Sequence, residues 1–236
     1  MNYVRRDGLL TAPVCFLTIE DGGPFIYTSA ADFMARNFVT AAEVCEVSEG
    51  KPAVFGGRDK PAQYMSKIMM TLFTGNIVGW DRYRANLLTL RNESNIKFYP
   101  IPRPSQKEKD WPSEATQAIG LSLNEYLAKC QIDRPAIIYE KNREAFDGNR
   151  LYIVLGAKNE WCRFLTTYVY QGAFPDDTRA DANRKYRLYY NADKSFAFAC
   201  FNSFRPGIFD DDVVEFANII RPLVDERVRG RINMEL

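Results

Sequence analysis

Histidine is absent from the 236-residue chain. That absence removes Ser-His-Asp and Cys-His triads, HExxH zinc sites and histidine general bases together. Any catalysis here would have to move protons through carboxylates, Lys, Tyr or Cys. The five cysteines (Cys15, Cys45, Cys130, Cys162 and Cys200) include no CxxC pair, so no thiolate zinc site is spelled out. Odd in number and widely spaced, they predict reduced, mostly buried thiols in a cytoplasmic protein. No apolar run approaches the ~18 residues that cross a bilayer, so no membrane partner is expected. The first apolar stretch is broken by Pro13, Thr18 and Glu20, and reads as a strand rather than a secretory segment. Net charge is only +1, so a polyanion site would have to be a local patch. Neither GxxxxGK[ST] nor GxGxxG occurs; "FGGRDKP" at 55–61 is a weak substitute, and no cofactor is expected.

Aromatic residues are abundant: 16 Phe, 13 Tyr and 3 Trp, which favours sheet-rich structure. In the N-terminal half, "PVCFLTI" (13–19) and "PFIYT" (24–28) flank the turn "EDGG" and predict a hairpin. Ser29 with Asp32 opens a helix, Pro61 sits in the first turn of another that Gly75 stops, and "GWDRYRANLLTL" (79–90) predicts a third. "NIKFYPI" (95–101) is a short strand. The Pro- and charge-rich segment 102–114 is either a linker between domains 1–101 and 115–236 or an exposed loop of one domain. Beyond it, Ser122 and Glu125 form a capping box for a helix. Five predicted strands follow: 135–141, 150–156, 161–172, 186–191 and 195–201. A last helix starts at Asp210. Short connections make neighbouring strands antiparallel. The expected fold class is α+β: an antiparallel β-meander in the C-terminal half packed on helices, with an N-terminal hairpin plus helices.

The acidic runs have simple readings. The aspartates of "FDDDVVE" (209–215) suit a helix N-terminus. Asp176, Asp177 and Asp181 do not match a calcium loop, and 174–187 reads as a solvated loop followed by a basic strand entry. No metal is expected. Ser29 reads as a helix cap rather than a nucleophile. The recurrent feature is Arg interleaved with aromatics: "WDRYR" (80–84), "WCRF" (161–164) and "RKYRLYY" (184–190). Guanidinium binds phosphate, and aromatic rings stack bases. Strand alternation places apolar residues on one sheet face and Arg, Tyr and Thr on the other. Arg82, Arg84, Arg150, Tyr152, Arg163, Arg187 and Tyr189 are the candidate binding residues; the plain alternative is a solvated sheet face.

"RPAIIYEKNREAFDGNRLYIVLGAKNEWCRFLTTYVYQG", preceded by a helix, resembles the barnase/EndoU/RelE-like RNase domains across residues 122–172. The resemblance implies a helix followed by an antiparallel meander. It also implies metal-independent RNA cleavage by Glu140, Lys141, Arg163 and Thr167, with Thr166, Thr167 and Tyr168 as the Thr-aromatic pair carried by a strand near the end. This chain departs from the many members that use histidine.

Three functions follow as expectations. The first is binding of nucleic acid or a nucleotide through the Arg/aromatic sheet face. The second is a protein-interaction module (inhibitor, adaptor or assembly subunit) that engages a protein partner or a second copy of itself. The third is the histidine-free RNase.

Overall fold

The computed structural model describes residues 4–19, 27–37, 45–48, 60–88, 90–99, 111–147, 150–172, 177–180, 185–190, 197–201, 208–223 and 230. Among the described residues, eight strands form one sheet. In chain order they are β1 (Val4–Asp7), β2 (Val14–Thr18), β3 (Cys45–Ser48), β4 (Glu93–Lys97), β5 (Leu151–Leu155), β6 (Asp177–Ala180), β7 (Tyr186–Tyr190) and β8 (Ala197–Phe201). Their spatial order is β3-β1-β4-β2-β5-β8-β7-β6. The four central strands, β4, β2, β5 and β8, are parallel. β1 runs antiparallel to β4, and β6-β7-β8 is antiparallel. The helices are α1 (Ala30–Asn37), α2 (Lys60–Thr74), α3 (Trp80–Asn86), α4 (Ser113–Ile119), α5 (Leu123–Lys141), α6 (Lys158–Phe164) and α7 (Asp210–Ile220).

Both sheet faces are covered. Successive strand residues point to opposite sides, so β2 places Cys15 and Leu17 in one core and Val14 and Phe16 in another. The first core takes Phe33 of α1, Ala115 of α4, Tyr126 and Cys130 of α5, and Trp161 and Phe164 of α6. The second takes Met65 and Met69 of α2, Tyr83 of α3, and Val213 and Phe216 of α7. "VCFLT" and "LYIVL" are continuous apolar runs because each must satisfy both cores, as central parallel strands do.

Helices combined with sheet are present as expected, but the meander is confined to β6-β7-β8. The predicted N-terminal hairpin does not form at β2, whose two neighbours are the parallel strands β4 and β5. Residues 24–26 of its second half lie outside the described residues, and Tyr27 and Thr28 are not in a strand. "PAIIYEK" continues α5 instead of forming a strand. Leu123, Tyr126, Cys130, Arg134 and Ile138 are buried at helical spacing straight past Pro135. Arg134 disguises that stripe; it is fully buried, and its Nε donates to the Phe98 carbonyl at 2.5 Å. "WCRFLTTYVYQG" is also helical: α6 runs into a π-helical turn at 165–169. Residues 177–180, read as part of a loop, form β6.

The capping box of α5 forms as the sequence predicts. Glu125 N donates to Ser122 Oγ, and Ser122 N donates to Glu125 Oε2 at 2.8 Å. Residues 102–110 lie outside the described residues; β2 and β5, from either side of that segment, are sheet neighbours. Among the described residues no helix is long and apolar enough to cross a membrane.

Candidate functional site

The helices that directly follow the central parallel strands lie on different faces, while α2 and α3, which follow β3, pack in the second core. α1 follows β2, α4 and α5 follow β4, and α6 follows β5; all of them pack in the first core. α7 follows β8 and packs in the second. The paths therefore part to opposite faces between the carboxyl ends of β5 and β8. In open α/β sheets such a switch point forms the crevice where ligands sit.

Five polar side chains converge there. β5 ends at Leu155, and the chain turns through Gly156 and Ala157, both at positive φ, into Lys158 at the start of α6. One turn later Cys162 faces Cys200 of β8, with the sulfurs 3.6 Å apart. Arg187 of β7 pairs in register with Cys200, and Tyr189 with Phe198, so both point to the Cys200 side. Lys158 and Arg187 lie within electrostatic reach of both sulfurs. Among the described residues, no carboxylate stands at ion-pair distance from either cation.

These neighbours split the two thiols. The hydrogen bond from Cys200 lowers the Cys162 thiol against the opposing effect of burial; Tyr189, Lys158 and Arg187 help. Burial raises Cys200 well above the thiol range, and the negative Cys162 beside it adds to this. Burial followed by the two sulfurs raises the Tyr189 hydroxyl to about 12, so it stays a donor at neutral pH. The arrangement is a half-buried thiol with a lowered pKa facing a buried thiol with a raised one, with two cations beside them.

Phe209 opens α7 at the same end of the sheet and is 70% exposed. The Lys185–Asp212 ion pair ties the first turn of α7 to the start of β7, where Tyr186 pairs with Phe201 at the end of β8. The aspartates of "FDDDVVE" have structural partners: Asp212 caps Phe209 N at 2.7 Å and binds Lys185, and Asp210 binds Lys67.

The other predicted binding residues do not join this cluster. The sheet face assigned to them is covered by helices. Arg82 is exposed on α3, while Arg84 lies over Trp80, which also receives Lys67. Arg150 is buried: it donates to the carbonyls of Ala12 and Glu144. Tyr152 is buried and donates to the Ala145 carbonyl at 3.0 Å. Arg163 and Thr167 are exposed on α6 and its π turn, rather than on a strand, and Glu140 and Lys141 are exposed at the end of α5. Tyr139 and Tyr168, 5.3 Å apart, bring those two segments together. Among the described residues no hydrogen bond or ion pair links any two of Glu140, Lys141, Arg163 and Thr167. Of the seven binding candidates, Arg187 and Tyr189 belong to the cluster. Sequence reasoning missed Lys158 because it read 157–160 as a turn, and Cys162 because it placed 161–172 in a strand. Trp161, Phe164, Leu165 and Tyr168, at spacings of three and four, carried the helical signal.

No protein-family model, curated protein or solved structure matches the chain.

Proposed function

We propose that the protein binds a nucleotide at the carboxyl end of β5 and β8. Arg187 and Lys158 hold its phosphates, and Phe209 offers a face to its base. The observation that carries this reading is the convergence of two cations without a carboxylate partner at the switch point of a helix-covered sheet. Guanidinium matches phosphate geometry, and an exposed ring suits base stacking. This reading moves the Arg/aromatic site from an open sheet face to a sheet end.

The test is a titration with nucleoside mono-, di- and triphosphates, followed by fluorescence or calorimetry. Affinity should rise with phosphate number and fall with salt, because exposed charges are screened. Arg187→Ala should weaken binding about tenfold or more, as expected for a charge-assisted contact worth ~1.5–3 kcal/mol. Arg82→Ala and Arg163→Ala should bind as the parent does. Equal binding by Arg187→Ala and the parent overturns the proposal.

A further inference from the structure

We propose that Cys162 and Cys200 form a dithiol–disulfide couple that exchanges with small anionic disulfides, Cys162 attacking and Cys200 resolving. The geometry carries this. The sulfurs stand 3.6 Å apart, and joining them requires only about 1.5 Å of approach to a bond of ~2.05 Å. Cys162 is half-buried on α6, whereas Cys200 is buried on β8, which assigns their order of attack. Lys158 and Arg187 flank the pair and favour a disulfide that carries carboxylates.

The segment bearing Cys162 has an irregular backbone. The Thr166 hydroxyl donates to the carbonyls of Cys162 at 2.9 Å and of Arg163 at 3.0 Å, where the helix widens into the π turn. Such turns recur at functional sites. Two of the other thiols differ from the pair. Cys15 and Cys130 are buried free thiols, each pushed up to about 11 by burial.

The chemistry balances without any further reagent. The Cys162 thiolate attacks one sulfur of RSSR, forming a Cys162–S–S–R bond and releasing RS⁻. Cys200 then loses its proton to solvent and attacks the Cys162 sulfur, which displaces the second RS⁻. The two thiols are oxidised to one disulfide, and RSSR is reduced to two RSH. The couple does not depend on nucleotide binding: the cross-link is read from the two sulfurs, whatever a nucleotide titration shows.

Reduced, folded protein is incubated with excess oxidised glutathione, quenched with acid, alkylated and mapped by mass spectrometry. The expected product is a Cys162–Cys200 cross-linked peptide lacking two hydrogens, with Cys15 and Cys130 alkylated only after denaturation. Cys200→Ser should stop at a glutathione adduct on Cys162, and Cys162→Ser should leave Cys200 unmodified. Lys158→Gln should slow the reaction with glutathione by about threefold relative to neutral hydroxyethyl disulfide, the effect of one exposed cation at about 6 Å in water. Circular dichroism on the same samples verifies folding. Should a variant unfold, the map of the parent protein decides. The proposal is overturned if both thiols of folded parent protein survive while free cysteine exchanges fully. It is equally overturned by a glutathione adduct that persists on Cys162 without cross-linking.

Discussion

Replacing Arg150 with Met distinguishes a structural arginine from a binding one. The side chain is 8% exposed at the entrance to β5. It donates to the Ala12 carbonyl, before β2, and to the Glu144 carbonyl at 2.8 Å, while Asp147 stands 3.5 Å away. A hydrogen bond from a charged donor contributes about 1.5–3 kcal/mol, and a buried carbonyl left without a partner costs about 1–3 kcal/mol. Asp147 is half-exposed, so its ion pair adds less than about 1 kcal/mol. Met retains most of the apolar stem and relieves the cost of burying a charge. The net expectation is a loss of about 2–4 kcal/mol. At roughly 2–4 °C per kcal/mol for a chain of this size, Tm should fall by about 5–15 °C. Urea unfolding with matched m-values is the assay, and nucleotide affinity of the folded fraction should not change. A loss below about 0.5 kcal/mol together with weakened binding would refute the reasoning.

Other perturbations test separate parts of the account. Trp161 is fully buried; its Nε1 donates to the Thr18 carbonyl at 2.8 Å, and its ring lies 5.3 Å from Phe98 and from Phe164. Trp161→Phe removes one of the two hydrogen bonds to that carbonyl, which keeps the Phe98 N–H at 3.1 Å, and should cost about 0.5–1.5 kcal/mol in chemical denaturation on top of the lost ring packing; a neutral result would mean that α6 does not dock on β2. Ser122→Ala removes the cap of α5 and should cost about 1 kcal/mol at pH 7. Hydrogen bonds from Ser122 lower Glu125, so the stability they give is present above its unfolded value of ~4.3 and fades as pH falls through the lower folded value. The gap between parent and Ser122→Ala in acid unfolding curves should therefore narrow as the pH falls below about 4. Iodoacetamide should alkylate Cys162 with a midpoint pH below the ordinary thiol value of ~8.5, and Cys200→Ala should raise that midpoint; an unchanged midpoint would sever the two sulfurs.

Local signals in the sequence were legible where they were self-contained. Ser122 and Glu125 announced a helix start, Pro61 and Gly75 framed α2, and "YRLYY" paired with the strand ending in Phe201 as an antiparallel neighbour. The central parallel strands were harder to read. Their pairing joins residues as distant as Val14 and Leu151, and no local turn records that choice. Continuous apolar runs at β2 and β5 were the available sign of burial on both faces. β-Branched and aromatic residues in "AIIY" and "FLTTYVY" suggested strands, yet tertiary packing overrode that preference. The site was half visible. Arg187 and Tyr189 were found by alternation. Cys162, 38 residues before Cys200, meets it through the folded packing of α6 on β8.

The most direct test of the account is nucleoside triphosphate affinity measured by calorimetry at low salt. Parent protein would be compared with Arg187→Ala, Lys158→Ala and the control Arg163→Ala. The account predicts saturable binding by the parent and Arg163→Ala, and about tenfold or greater weakening by Arg187→Ala, with a smaller loss for Lys158→Ala. Undiminished affinity in both cluster variants, or loss in Arg163→Ala alone, would contradict it.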